Sequence, residues 1–235
     1  MTVPTKSLTP IAGAGPGNGM AFARRFAGDG QLALLTRDPR GIAEEAARLD
    51  DAMTYACDVT DGSAVGRTLG DIRARQGEPS TLIYNAGSAA FGSFADITAE
   101  KFEESWRINA FGAFLVAREV VPAMQAAGRG TVIFVGATAS LRGGPESAAF
   151  GPAKAAQRSL AESMARSLWP EGIHVALIVL DGRVASAAAT AAEPERTADD
   201  FIDPEAVAET AHMLSLQPRS AWTFETILRP SRETW

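Results

Sequence analysis

The feature that most constrains this fold is a glycine-rich turn where one periodicity gives way to another. Ser7-Leu8-Thr9-Pro10-Ile11-Ala12 reads as a short strand, Gly13-Ala14-Gly15-Pro16-Gly17-Asn18-Gly19 as a turn, and Met20-Ala21-Phe22-Ala23-Arg24-Arg25-Phe26 as a helix. A strand that runs through glycines into a helix N-terminus exposes backbone N–H groups and lets a phosphate come close to the backbone. Gly13, Gly15, Gly17, Asn18 and Gly19 are therefore the candidate phosphate cradle. Strict G-x-G-x-x-G spacing fails here, whereas Gly13, Gly17 and Gly19 fit G-x-x-x-G-x-G. A tight structural turn would use the same residues. Pro10 cannot donate a ladder hydrogen bond, so a bulge or a missing bond is expected there.

The same alternation continues along the chain. Strand-like runs at 7–12, 32–36, 53–56, 81–84, 131–135, 174–180 and 222–228 are separated by helical patterns at 17–28, 40–49, 63–76, 99–126, 148–168 and 204–215. Strands joined by crossover helices imply an α/β fold, a single doubly wound Rossmann-type domain over 1–235. Its sheet should be seven-stranded and mostly parallel, with helices on both faces. Residues 183–202, alanine-rich and then polar, read as a substrate-side flap, either a lid or a disordered loop.

Composition narrows the function. A chain of 235 residues with 46% apolar content supports one sizeable core, and a net charge of −6 argues against nucleic acid or an anionic membrane as partner. The lone Cys57 excludes an internal disulfide and reads as a buried structural thiol. Two histidines, His174 and His212, without ligand-like spacing argue against a metal, and no G-x-S-x-G elbow is present. With no run of about 18 apolar residues and no signal-peptide pattern, a cytoplasmic location is expected.

The second strand ends in Thr36-Arg37-Asp38, about twenty residues beyond the turn, where a dinucleotide fold reads the ribose. Thr36 stands where an NAD-selective carboxylate is expected, and the planar donor fork of Arg37 suits a 2′-phosphate. NADP(H) is thus favoured over NAD(H), with Asp38 as the opposing feature.

The turn, Asp58-Val59, Asn85-Ala86-Gly87, Asn109 and Lys154 together resemble the short-chain dehydrogenase/reductase family, and the resemblance runs through nearly the whole chain. It implies that Asp58 and Val59 border the adenine and that Asn85, Ala86 and Gly87 line the cofactor cleft. It also implies that Asn109 supports a water-linked proton relay and that Lys154 binds the nicotinamide ribose. Turn capping is the plain alternative for Asn85.

The same resemblance exposes departures. Phe150 occupies the place, four residues before Lys154, where the family has the proton-transferring tyrosine, and Ala137 the place of the substrate-orienting serine. Thr138 offers a displaced hydroxyl, an imperfect substitute because neighbouring strand residues face opposite ways. The family proline-glycine becomes Asp181-Gly182. These losses resemble an atypical branch with phenylalanine for tyrosine. Glu146, Ser147 and Asp181 are the nearest replacement acids by position, since the two tyrosines, Tyr55 and Tyr84, lie elsewhere.

Two functions follow. One is an NAD(P)(H)-dependent oxidoreductase acting on a small carbonyl, alcohol or conjugated enone by a non-standard proton route. The other is an NADP(H)-binding pseudoenzyme or regulatory protein without turnover. A small-molecule substrate is the expected partner, and the resemblance implies a homodimer or homotetramer through helices 99–126 and 148–168, whose Ala110, Gly112, Ala113, Ala155, Ala156 and Ala161 allow close packing; helix-to-sheet packing inside a monomer explains the same residues.

Overall fold

A computed structural model describes residues 7–233 of the chain; residues 1–6 and 234–235 of the expected domain lie outside the described residues. In chain order the strands are β1 (Ser7–Ala12), β2 (Gly30–Thr36), β3 (Ala52–Ala56), β4 (Thr81–Tyr84), β5 (Gly130–Ala137), β6 (Ile173–Leu180) and β7 (Glu225–Leu228). The helices are α1 (Asn18–Phe26), α2 (Ala43–Ala46), α3 (Gly62–Gln76), α4 (Ala99–Trp106), α5 (Gly112–Ala127), α6 (Phe150–Leu168), α7 (Ala187–Ala192) and α8 (Pro204–Ser215). The seven strands form one sheet in the order β3-β2-β1-β4-β5-β6-β7, and every pair is parallel. The expected mostly parallel sheet is thus parallel throughout.

Alternation along the strands divides the core in two. Val132 and Phe134 of β5 and Val175, Leu177 and Val179 of β6 face the layer of α3, α5 and α6. Ile133, Val135, Ala176 and Ile178 face the opposite layer of α1 and α8. All eight residues of β6 are buried, as a strand covered on both faces requires.

Pro10 produces no bulge. The β1–β2 register runs unbroken from Ser7 to Ala12, with Pro10 opposite Ala33, while pairing with β4 starts only at Ile11. Leu8 O and Ala12 O both accept from the β4 side, so the missing donor of Pro10 falls on that side.

Several expected elements differ in extent. The helix expected over 40–49 is a 3-10 turn, Pro39–Ile42, followed by the single turn of α2, and the strand expected over 222–228 begins only at Glu225. The helix expected over 99–126 is broken by a π-turn, Arg107–Phe111. Its cause is Asn109, whose side chain Nδ2 donates to Ser105 O at 2.9 Å and so takes the carbonyl that an α-helical N–H four residues on would use. Within the expected flap, 183–202, the chain forms α7, none of whose residues is buried. Arg183 to Ala185 pair with buried Ile202 and close the base of the segment.

Candidate active site

The strand order reverses between β1 and β4, and a cleft of about 610 Å³ opens there at the carboxyl ends of the strands. Its lining comes from the loops after β1 (Gly13, Gly15), β2 (Arg37, Asp38), β3 (Cys57 to Val59) and β4 (Asn85 to Gly87), with Leu35, Thr36 and Ile108 completing it. Eight of the residues assigned to a cofactor from sequence therefore meet in one place: Gly13, Gly15, Arg37, Asp58, Val59, Asn85, Ala86 and Gly87. Gly17, Asn18, Gly19 and Lys154 are not in the lining. Cys57 and Ile108 were missed, being apolar contacts with no sequence signature.

The glycine turn is fixed by close approach. Gly13 has φ +89°, and a Cβ on it would stand 2.4 Å from Ala86 N. Asn85 holds this contact in place, its Nδ2 donating to Gly13 O at 2.8 Å while Asn85 N and Ala86 N both donate to Ala12 O at 2.8 Å. A Cβ on Gly19 would meet Gly13 O at 2.6 Å, so α1 packs directly on the turn. The first turn of α1 carries no acidic residue and its N-cap, Gly17, makes no side-chain cap. Asn18 Oδ1 is buried without a partner. Met20 N donates to Gly15 O and Ala21 N to Gly17 O, which leaves the N–H groups of Gly17, Asn18 and Gly19 open to an anion.

At the far side of the cleft, Arg37 is exposed and has no hydrogen bond or ion pair among the described residues. Asp38, the feature opposed to a 2′-phosphate, is engaged by Arg40 through Nε and Nη2 at 2.8 Å each. That hydrogen-bonded partner holds its carboxyl below the usual carboxylate range. Asp58 caps its own loop, accepting from Thr60 N at 2.9 Å and Thr60 Oγ1 at 2.8 Å, and these bonds, with Arg37 and Arg107 nearby, keep it ionised. Burial pushes the Cys57 thiol up, as for a structural cysteine.

Lys154 sits behind Gly87 at the inner end. Its side chain is 5% exposed, with Nζ donating to Val135 O at 2.8 Å and to Gln157 Oε1 at 3.0 Å. Burial alone pushes this amine down to about 7. A Cβ on Gly87 would be 3.1 Å from Asn109 Oδ1 and 3.6 Å from Lys154 Nζ, so both groups abut the cleft wall. Asn109 Oδ1 and Gln157 Nε2 are buried without partners. Gln157 was missed from sequence, although a polar pair at positions 154 and 157 shares a helix face that otherwise carries Gly151 and Ala161.

The hydroxyls of Thr138, Ser140 and Ser147 are all hydrogen-bonded within the protein. Thr138 Oγ1, the displaced hydroxyl, donates to Asp181 Oδ1. Asp181 also accepts from Arg229, through Nε at 2.8 Å and through Nη2. Burial would raise the Asp181 carboxyl, but the bonds from Thr138 and Arg229 outweigh it and leave the group lowered, so Asp181 is a carboxylate and no acid near neutral pH. Ser140 Oγ donates to Ala137 O at 2.5 Å and Ser147 Oγ to Gly144 O at 3.0 Å, while Glu146 is exposed. Tyr84 donates to Ile108 O and Tyr55 to Gln76, and neither enters the substrate side. Ala137 ends β5 and Phe150 opens α6, its ring edge-on to Phe91 at 5.4 Å between centroids.

The parallel sheet, the turn and the cleft at its switch point define a doubly wound α/β protein. Residues 8–196 match the family described as short chain dehydrogenase, and the chain belongs to that family. It is 33% identical over 158 residues to the 3-oxoacyl-[acyl-carrier-protein] reductase MabA of Mycobacterium tuberculosis, covering 67% of this chain and 62% of the relative. It is 34% identical over 158 residues to a protein of Xanthobacter autotrophicus named inactive 2-(S)-hydroxypropyl-CoM dehydrogenase 2, covering 66% of this chain and 68% of the relative. The chain thus matches about 62% of the length of the MabA relatives. Among solved structures, a short-chain dehydrogenase from Rhodopseudomonas palustris superposes with a TM-score of 0.84 at 31% identity, covering 97% of this chain and 100% of that one. A metagenomic short-chain oxidoreductase solved in complex with NADP has a TM-score of 0.83 at 23% identity, covering 97% and 99%.

Among the described residues no helix is long and apolar enough to cross a membrane, and no group of three or more His, Cys, Asp or Glu side chains is placed to hold a metal ion.

Proposed function

We propose that this protein is an NAD(P)(H)-dependent oxidoreductase that moves a hydride to or from a small carbonyl, alcohol or conjugated enone, with NADP(H) preferred over NAD(H). The observation that carries the reading is the cleft at the switch point, floored by a Gly13 that tolerates no side chain and rimmed by an unpaired Arg37. The relatives named as reductases and dehydrogenases support the reaction type. When bound, the nicotinamide supplies or accepts the hydride. Gly13, Gly15 and the α1 N-terminus would hold the pyrophosphate, Asp58 and Val59 the adenine, and Arg37 a 2′-phosphate. Lys154 and Asn109 lie behind the cleft wall at Gly87, which suits groups that serve the ribose end.

A second reading, a nucleotide-binding protein without turnover, is favoured by the commitment of the Thr138, Ser140 and Ser147 hydroxyls to protein acceptors. Titration with NADPH and NADH, followed by a screen of carbonyls and enones for oxidation of bound NADPH, separates the two. Turnover supports the oxidoreductase, and tight binding with no turnover across the panel supports the binding protein. Restoring both missing hydroxyls, Phe150→Tyr with Ala137→Ser, is expected to give a large gain in ketone reduction.

We further propose a homodimer or homotetramer through α5 and α6. The groove between them is lined by exposed Phe114 and half-buried Leu160 and Met164, and Ala155 is exposed. Ala110, Gly112, Ala113 and Ala161 are buried within the protomer, so they are removed from the proposed contact. Light scattering on the purified protein reads the mass.

A further inference from the structure

The sheet carries a second recess, at the amino ends of its central strands and so at the opposite edge from the cleft described above. Its floor is a polar row. Thr81, which opens β4, stands opposite Thr131 of β5, and Thr131 stands opposite His174 of β6. Residues in register on neighbouring parallel strands share a face, and the next places on this face are the apolar Ile83, Ile133 and Ala176. Thr131 is 7% exposed, and neither threonine hydroxyl has a hydrogen-bond partner among the described residues. A buried hydroxyl ordinarily has a partner, which an acceptor held in the recess would supply.

The rim of the recess is basic. Arg129, just ahead of β5, is exposed and has no hydrogen bond or ion pair among the described residues. Arg219, ahead of β7, makes one contact at the limit of a hydrogen bond, Nη2 to Pro170 O at 3.5 Å, and is held 5.7 Å over the Trp222 ring. Trp222 in turn stacks on His174 and donates through Nε1 to Gln217 O at 3.0 Å, so arginine and imidazole share one aromatic support. No Asp or Glu is in the lining, in a chain with 28 acidic residues against 22 basic ones. Glu171, beside the lining residue Gly172, is exposed and accepts from Gln125. Other charged groups on the elements around His174 are paired: Glu205 and Glu209 of α8 with Arg24 and Arg25, His212 with Asp29, and Glu225 of β7 with Arg158. Each nitrogen of the His174 ring faces a carbonyl oxygen, Leu214 O at 3.1 Å and Thr223 O at 2.8 Å, yet burial favours the neutral ring, which has a single N–H. An anion in the recess favours the imidazolium, whose two N–H groups serve both carbonyls.

We propose that this recess binds a phosphoryl dianion, as free phosphate or as the end group of a small phosphomonoester, between Arg129 and Arg219 and over the row of Thr81, Thr131 and His174. The two guanidiniums supply planar forks of N–H donors that match phosphate oxygens, and the threonine hydroxyls donate from the floor. The volume of about 380 Å³ exceeds what one phosphate group fills and leaves room for a sugar-sized substituent. The Trp222 ring is already engaged by His174 and Arg219, and no other ring in the lining offers a face to a base, so the ligand is not a nucleotide. The recess shares no lining residue with the cleft between β1 and β4.

The two histidines, His174 and His212, give two ring signals to follow by NMR in the whole protein, the first identified by its loss in His174→Gln. Titration with inorganic phosphate at pH 7 is expected to move the His174 signal saturably towards its imidazolium position and to leave His212 in place. Arg129→Gln and Arg219→Gln should each weaken the affinity read from this signal by about tenfold or more, the worth of a charge-assisted bond. Arg37→Gln, at the opposite edge of the sheet, should leave that affinity unchanged. Because Arg129 is bonded to nothing, its variant should keep the thermal midpoint of the unaltered protein in phosphate-free buffer. Ribose 5-phosphate is the second probe: tighter binding than phosphate assigns the recess to a phosphomonoester, weaker binding assigns it to the free ion, and ribose alone should not move the signal. The proposal is overturned by no uptake of either phosphate probe, by uptake that leaves the His174 signal unmoved, or by an affinity unchanged in both arginine variants. NADPH enters none of these readings, so their failure leaves the oxidoreductase reading standing.

Discussion

Thr138 Oγ1 lies 2.5 Å from Asp181 Oδ1, joining the carboxyl ends of β5 and β6, and Arg229 just beyond β7 closes on the same carboxylate. A buried carboxylate with two donors is stabilising only while both are present. Thr138→Val is therefore expected to cost about 1–3 kcal/mol, read from urea denaturation at pH 7. Because the Asp181 carboxyl is lowered in the folded protein, its contribution is present above the unfolded carboxylate value and lost as pH falls through its folded value. The difference between the two proteins should shrink towards acid pH.

Gly13→Ala places a methyl group against Ala86 N at a backbone angle, φ +89°, that alanine avoids. The turn must shift, so NADPH binding is expected to weaken by at least about tenfold, which corresponds to 1.4 kcal/mol. Gly15→Ala is the control, since no atom lies within 4 Å of its added Cβ. It should leave the thermal midpoint unchanged.

Arg37→Gln removes the free guanidinium at the cleft rim. Calorimetry is expected to show an affinity loss of about tenfold or more for NADPH, the worth of a charge-assisted bond, and little change for NADH. Equal losses for both nucleotides would assign Arg37 to a structural role.

His174 stacks on Trp222 with centroids 4.9 Å apart and lies between Thr223 O and Leu214 O. Burial lowers its pKa, although both carbonyls oppose that shift. A group favoured neutral in the fold contributes stability above the unfolded value near 6.5, lost as pH falls through its folded value. The urea midpoint should fall on acidification below about pH 6.5, and His174→Gln should flatten that slope.

The strands and the glycine turn were legible because their signals are local: β-type runs, a shift of period and glycines between them. What escaped depends on residues distant in sequence. The π-turn arises because Asn109, besides bonding Ser105 O, reaches Ser88 O at 3.0 Å, a contact no helical periodicity records. The Thr138 hydroxyl donates to Asp181, 43 residues on, a contact that no local pattern records. The motif placed Lys154 at the cofactor end of the fold, but its inward turn onto Val135 O and Gln157 required the packing of α6 on β5.

Calorimetric titration of the unaltered protein with NADPH tests the central claim most directly. One nucleotide bound per chain, more tightly than NADH and weakened in Gly13→Ala, is the expected result. No uptake of either nucleotide by the folded protein would contradict it.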